Sequence, residues 1–463
     1  MHRFSHTNTF HPTWKQPWVC RFSSKSTKSS TIDIAVIGAG IGGLATANAL
    51  MVKNNHGQDK FFNVRVYEQA SNFVPTAGAG FGFSPNGQIC LESIGVSTQD
   101  MLHQFDSISR LDRATGAAVQ QSSSILKQIR DKYGFGMAGC LRADLIGRLL
   151  ESLQEKSNNN AVNYSHQLTS VQPKKDKVTL EFANGHVDDV DLVVGADGIH
   201  SFVAKELDID HSDPIYSGAN IFYGILDDVD SIPPFEWQSP LLQDFNHSIL
   251  QGHDVGEFIV FKVGPMDKAK LVWAATYPSG IPPPRRQEWD AASHMVELQT
   301  VLPKFPPTHI VHELAEKTGF DRLLHFGLYY RKHKTTWFKD RVCLLGDSCH
   351  ATLPYVGQGA NQAIEDAISL ADCLDEYRND NFSSHTAAFN QFYDQRFTRT
   401  KRIVTIANIM DKMYHSNNFL VKIAIDLLLS QVLKGGIIFK QIEKEIVEEC
   451  PVKDYAKYAA RRP

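Results

Sequence analysis

A chain of 463 residues is too long for one small core and predicts two or three packed units. With 42% hydrophobic and 21% charged residues it buries a sizeable interior, and a formal charge of -4 gives no electrostatic basis for binding nucleic acid. No apolar stretch is long enough to cross a bilayer; the seven scattered cysteines, with no CxxC pair, form neither a disulfide framework nor a zinc site and fit a reducing compartment.

Before Asp33 the chain has no acidic residue, while Arg3, Lys15, Arg21, Lys25 and Lys28 are basic and Ser and Thr abound. Without an apolar h-region this is no secretory signal; it reads as an organellar transit peptide, mitochondrial with Arg21-Phe22-Ser23-Ser24 like a processing site or alternatively plastid, or else as a disordered, solvated tail or a mis-assigned start on a cytoplasmic protein. Ile32–Ile37 then reads as a buried strand, Gly42–Lys53 as a helix and Val64–Glu68 as a second strand. Helical patterns follow at Pro85–Ile94 and Ala143–Leu153, and β-rich runs at Val178–Phe182 and Asp191–Gly195. From Tyr216 to Tyr277, aromatic and β-branched residues broken by Gly, Asp and Pro predict an antiparallel sheet. Val342–Leu345 is again a strand, and the remainder is helical. The expected organisation is a leader at 1–31, a discontinuous α/β nucleotide domain at 32–205 and 335–380, a β-rich substrate domain at 206–334 and a helical region at 381–463.

The strongest local signal is Gly38-Ala-Gly40-Ile-Gly-Gly43, between an apolar strand and a small-residue helix. Gly38 permits the tight turn, Gly40 lets backbone amides approach a pyrophosphate, and Gly43 lets helix and strand pack closely. Gly134, Gly136 and Gly139 repeat the spacing after the charged stretch Gln128–Lys132, where no phosphate role is expected. Glu68 ends the next strand, where a carboxylate accepts hydrogen bonds from an adenosine ribose. Two further segments recur as apolar strands with Asp at the mouth: Val193-Val-Gly195-Ala-Asp197-Gly198, and Val342-Cys-Leu-Leu-Gly346-Asp347. The second continues through Leu353-Pro354-Tyr-Val-Gly357-Gln-Gly359-Ala-Asn361.

In this order and at these separations, the three segments resemble the class A (single-component) flavoprotein monooxygenases, which include salicylate and other aromatic hydroxylases, kynurenine monooxygenase and zeaxanthin epoxidase. The resemblance runs from about Asp33 to Arg402. It implies a Rossmann-like FAD domain of the glutathione-reductase type, interrupted by an antiparallel substrate sheet and followed by C-terminal helices. It also implies FAD as cofactor, NADPH or NADH and O2 as co-substrates, and hydroxylation or epoxidation of an aromatic or polyene small molecule through a flavin peroxide. On this reading Asp347 accepts from a ribitol hydroxyl, Gly357 and Gly359 let the flavin ring lie against backbone, and Asn361 adds a side-chain contact at the pyrimidine edge. A helix starting near Gly359 aims its positive end at the reduced flavin. Arg142 matches an arginine that reaches the cofactor, and Gly78–Gly87 the loop lining the flavin. Asp197 either touches the cofactor or fixes its own turn. The segment Gln362–Asp366 looks like the salicylate-hydroxylase and epoxidase branches. Two positions depart from the pattern: no arginine follows Ser201, which is succeeded by Phe202-Val-Ala204-Lys205, and Ala351 replaces a common proline. The competing readings are an FAD reductase or halogenase on the same scaffold, or a flavin-binding protein without turnover; a halogenase would show a WxWxIP motif, which is absent.

Between Lys205 and Lys262 there is no Lys or Arg, whereas acidic residues recur, so a neutral or apolar substrate is one expectation. The other is a carboxylate anchored from elsewhere, by Arg110, Arg113 or Arg331. Tyr216, Phe222, Tyr223 and Phe261 line either an aromatic pocket or the core. No partner singles out His253, His333 or His350, and no catalytic residue is assigned. Phe419–Leu429 reads as an amphipathic packing helix, and Arg396, Arg399 and Arg402 as a solvated helix face.

Overall fold

The computed structural model describes Thr31–Ala459, apart from 55–61, 75–77, 158–161, 210–212, 228–244, 253–254, 284–290, 378–384, 428–435 and single positions; the basic leader lies outside the described residues. In chain order the first part comprises β1 (Ile32–Ile37), α1 (Ile41–Asn54), β2 (Phe62–Tyr67), β3 (Gly80–Phe83), α2 (Pro85–Ser93), β4 (His103–Gln104), β5 (Ile108–Leu111), β6 (Ala118–Ser122), α3 (Ser124–Tyr133), β7 (Ala138–Leu141), α4 (Arg142–Ser157) and β8 (Val162–Asn163). Next come β9 (Leu168–Pro173), β10 (Val178–Phe182), β11 (Val187–Val190), β12 (Leu192–Gly195), α5 (Phe202–Glu206), β13 (Ile215–Leu226), β14 (Phe245–Gly252), β15 (Val255–Val263) and β16 (Lys270–Pro278). The last part holds α6 (Ala291–Val301), α7 (Val311–Lys317), β17 (Leu323–Tyr330), β18 (Phe338–Lys339), β19 (Val342–Leu344), α8 (Asp347–His350), α9 (Gly359–Glu376) and α10 (His385–Tyr414).

β1 is an apolar run buried along nearly its whole length, as a central parallel strand requires. It lies between β2 and β12 in a six-stranded sheet ordered β18-β19-β12-β1-β2-β8, parallel except for β18. The register aligns Tyr67, Ile37, Gly195 and Leu344 in one row. Consequently Glu68, Gly38, Ala196 and Leu345 leave the sheet side by side, at the carboxyl ends where open α/β sheets hold ligands.

A seven-stranded sheet, β17-β13-β16-β15-β14-β5-β6, forms the second layer. Two of its strands, β5 and β6, come from chain far before the β-rich stretch. Because side chains alternate along a strand, Ile221, Tyr223, Phe261, Val272 and Ala274 join the core of the nucleotide-binding part, while Phe222, Phe258 and Trp273 pack with Leu298 and Leu314 of α6 and α7. The second glycine triplet leads into β7, and a Cβ on Gly139 would stand 1.9 Å from the Lys262 carbonyl oxygen. Around Leu420–Leu427, Ile425 is buried, but Leu420, Ile423 and Leu427 are exposed.

Two histidines sit neutral in the outer core. His325 lies 2.8 Å from the Tyr277 hydroxyl and stacks 4.1 Å from Phe222; burial, with His294 adding, lowers its pKa to about 4. Burial, then His312, likewise lowers His309 to about 4. Unfolded histidine titrates near 6.5, so the unfolded chain takes up protons first. Stability is therefore full above that value and falls as pH drops towards about 4, by on the order of 2–3 kcal/mol per histidine. Urea midpoints measured at pH 7.5 and 4.5 should differ accordingly, and His325→Gln should remove part of the difference. Equal midpoints would show that both rings protonate freely in the fold.

Candidate active site

Gly38 donates its N–H to Tyr67 O (2.8 Å) and takes φ +103°, and a Cβ there would lie 2.6 Å from Ala196 O. A Cβ on Gly43 would lie 2.0 Å from Gly38 O, so these two positions exclude any side chain. Among the described residues, a Cβ on Gly40 would meet only Arg142 Nη2, at 3.8 Å, and α1 begins beside it with no acidic residue in its first turn. Its free amides and dipole make an anion site there. Glu68 accepts the Ala39 N–H at Oε2 (2.8 Å) and the Ala70 N–H at Oε1 (2.9 Å), and each oxygen retains a lone pair.

Across the sheet, Asp347 opens α8 after Gly346, and its side chain is accessible in the cleft. The surrounding protein desolvates the carboxyl and raises its pKa, while His350 and Arg142 pull it back. The influence of Arg142 on Asp347, and its side chain passing Gly78 to reach Gly40, put all four residues on one cleft. Gly357, left-handed at φ +63°, has no atom of the described residues within 4 Å of the position its Cβ would take; Gly359 starts α9, again without an acid in the first turn. A cation and helix N-terminus midway, with carboxylates at either end, match an extended FAD: ribose, pyrophosphate, ribitol.

One expected contact, that of Asn361, takes a different form, and Asp197 takes the second of its two expected roles. Asn361 is fully buried, and its amide is spent within the protein: Oδ1 accepts the Ser84 N–H (3.1 Å), and Nδ2 donates to Gly357 O (2.9 Å) and Gly82 O (3.4 Å). It staples the loops of the cleft together and presents no side-chain donor to it. Asp197 accepts the Val203 N–H (3.0 Å) beside the Ser201 cap of α5, and burial raises its pKa. Packed beneath Gly38, it fixes its own turn.

The expectation of a solvated face at Arg396 and Arg399 is corrected. Both are buried, and only Arg402 is partly exposed. Arg396 binds Glu365 (2.6 Å) and Asp366 (2.7 Å), Arg399 binds Glu365 (2.7 Å) and Glu449, and Arg402 binds Glu449 (2.5 Å). Asp366 Oδ2 also meets His350 Nε2 (2.5 Å) and accepts the Gly346 N–H (3.1 Å), while Glu365 accepts from Asn86 (2.5 Å). Burial alone would raise the Asp366 carboxyl, but His350 and Arg396 outweigh it and hold it at about 2. The readable signal was two adjacent acids flanked on both sides by apolar residues, Ala363-Ile364 and Ala367-Ile368, which demand buried counter-charges. His350 thus belongs to this network, and His333 contacts Thr400 (2.9 Å); His253 lies outside the described residues.

On the cofactor side of the large sheet, Tyr223 stacks on Phe326 (5.7 Å, 14°), and its hydroxyl makes no hydrogen bond among the described residues. Phe261 shares that side, Phe222 faces away, and the Tyr216 hydroxyl is engaged by Asn220 (2.8 Å) and Ser279 (2.9 Å). Of the candidate anchors, Arg331 is buried and donates to Ile199 O (2.6 Å). Arg110 sits on β5, four strands from β13, which is roughly 19 Å at ordinary strand spacing. Arg113 lies outside the described residues.

Residues 31–385 match the protein family described as "FAD binding domain". The chain is 30% identical to a 3-amino-4-hydroxybenzoate 2-monooxygenase of Streptomyces cremeus, over 83% of this chain and 88% of that one. It is 29% identical to a 6-hydroxynicotinate 3-monooxygenase of Pseudomonas fluorescens, over 81% and 90%. In fold it is similar to Klebsiella pneumoniae HpxO, solved with FAD and uric acid, at a TM-score of 0.71 and 20% identity over 89% of this chain and 97% of that one. Sequence, cleft and relatives agree: the chain belongs to the class A flavoprotein monooxygenases, FAD-dependent enzymes that hydroxylate aromatic small molecules.

Proposed function

We propose that FAD lies along the row of turns, with Glu68 on the adenosine ribose, the Gly38–Gly43 amides and Arg142 on the pyrophosphate, Asp347 on the ribitol and the Gly357–Gly359 backbone under the flavin. Bound FAD, reduced by NAD(P)H, supplies the activated oxygen. The protein's own work is to grip the cofactor, present one ring edge of the substrate and keep water out. Asn361 and Asp197 act on the cofactor through the loops they hold.

The substrate is an uncharged, electron-rich aromatic ring. The observation carrying this is the composition of the wall above the flavin. The segments β13, β14 and β17 contain no Lys or Arg, Lys262 of β15 alternates with the inward Phe261, and Lys270 at the start of β16 is paired with Asp227 (3.0 Å). The relatives' names specify ring acids, a hydroxybenzoate and a hydroxynicotinate. This wall offers no arginine fork for such a group. Tyr223 is placed to hydrogen-bond a ring oxygen or nitrogen.

Substrate-stimulated NAD(P)H consumption with oxygen incorporation should be stronger for neutral phenols and anilines than for the matched ring acids. The Tyr223→Phe change should raise KM about 5- to 10-fold for ring-hydroxylated substrates, the worth of one ordinary hydrogen bond. Preference for the acids would overturn the reading.

A further inference from the structure

Cys90 of α2 and Cys450, which follows the π-helical turn Glu445–Glu449, are 360 positions apart in the chain, yet their sulfurs lie 3.7 Å apart and both side chains are fully buried. Cys450 Sγ also lies 4.0 Å from Asn86 O. By contrast, Cys140 and Cys343 face the backbone carbonyls of Leu141 and Leu344, and Cys373 faces Gln395. The segment carrying Cys450 is the last of the described residues. It packs against α2 and α3, with Tyr455 edge-on to Tyr133 (5.8 Å). Asn86 of α2 reaches Glu365 (2.5 Å), and Glu449, next to Cys450, binds Arg399 and Arg402, so both α2 and the terminal segment touch the network behind the cofactor cleft.

We propose that Cys90 and Cys450 are a modification site, which a two-electron oxidant of the hydroperoxide class converts to a disulfide that fastens the C-terminal segment to α2. The sulfurs must close from 3.7 Å to about 2.05 Å, the length of a disulfide bond. The chemistry balances. Sulfur of the first thiol takes an oxygen from peroxide as the O–O bond breaks, giving a sulfenic acid and one water. The second sulfur then attacks the first, the S–O bond breaks, and a second water leaves. Two S–H bonds become one S–S bond, and two electrons pass to the peroxide. Burial, followed by the neighbouring Cys450 and Glu365, pushes the Cys90 thiol well up. The packed pair is therefore slow to react, and oxidation runs through brief lifting of the terminal segment.

The test uses the full-length, FAD-loaded protein treated with hydrogen peroxide, followed by thiol blocking and non-reducing peptide mapping. The expected product is a Cys90–Cys450 peptide two hydrogens lighter than the separate thiols, reversed by dithiothreitol. It should come with a melting temperature raised by roughly 5 °C, since the bond closes a very long loop. Cys90→Ser and Cys450→Ser should each lose the cross-link and the shift; peptide mapping of the unmodified sequence stands even if either variant folds poorly. Oxidation of the two thiols to sulfinic or sulfonic acids without a joined peptide, persistence of both thiols while others react, or an equal shift in Cys450→Ser would each overturn the proposal.

Discussion

Replacing Asp347 with alanine is expected to yield a folded protein that purifies largely without its yellow cofactor and rebinds FAD some 10- to 100-fold more weakly. That factor corresponds to one charge-assisted hydrogen bond, about 1.5–3 kcal/mol. The side chain is accessible in the cleft, so its removal leaves no buried cavity, and the Gly346 turn beneath it is held independently by Asp366 through the Gly346 N–H. Loss of the cofactor should therefore not be accompanied by loss of the fold. Asp347→Asn, which keeps an acceptor and loses the charge, should fall between alanine and the native residue. The measurements are flavin-to-protein absorbance after purification, FAD titration, and the melting temperature with and without added FAD. Unchanged FAD affinity in the alanine variant would leave Asp347 as a turn residue and remove the ribitol from its reach.

What could be read from sequence was local. Gly38 and Asp347 stand just beyond the ends of short apolar strands and Gly43 in the first turn of the helix after β1, and the constraint on each comes from its own turn or from a neighbour fixed by strand order. Convergence of the three turns followed from parallel pairing alone, which sets Ile37, Gly195 and Leu344 in one row. What failed was long-range. Whether Asn361 faces the cofactor or Ser84 depends on a loop 277 positions earlier, and composition carries no trace of that partner. Arg396 and Arg399 look like any solvated helix face until the acids of α9 are laid against them. Burial of an arginine is decided by its partner's position. The same holds for Tyr223 and Phe222, where one residue of register separates the cofactor wall from the outer core.

Arg396→Met is the second substitution with a large expected effect. Among the described residues it leaves Glu365 with Arg399 and Asn86 and leaves Asp366 with His350 and the Gly346 amide, so two carboxylates stay buried with one arginine removed. Breaking such a buried pair costs about 3–5 kcal/mol, whereas Arg402→Ala, at a partly exposed pair with Glu449, should cost no more than about 1 kcal/mol. The pH dependence separates this from simple loss of packing. Asp366 is held at about 2 against an ordinary 3.8, so it contributes on the order of 2 kcal/mol that is fully present above the unfolded value and lost as pH falls towards the folded one. With Arg396 gone the Asp366 carboxyl should rise, and acid unfolding should begin at higher pH in Arg396→Met than in the native chain or Arg402→Ala. Because Asp366 also holds the Gly346 N–H beneath Asp347, FAD affinity measured at neutral pH, where the variant remains folded, should fall as well. Chemical denaturation at several pH values and FAD titration read the two effects separately. If both arginine variants lose equal stability with parallel acid profiles, the buried network is not what holds α10 against α9, and the Gly346 turn must be supported by its own backbone alone.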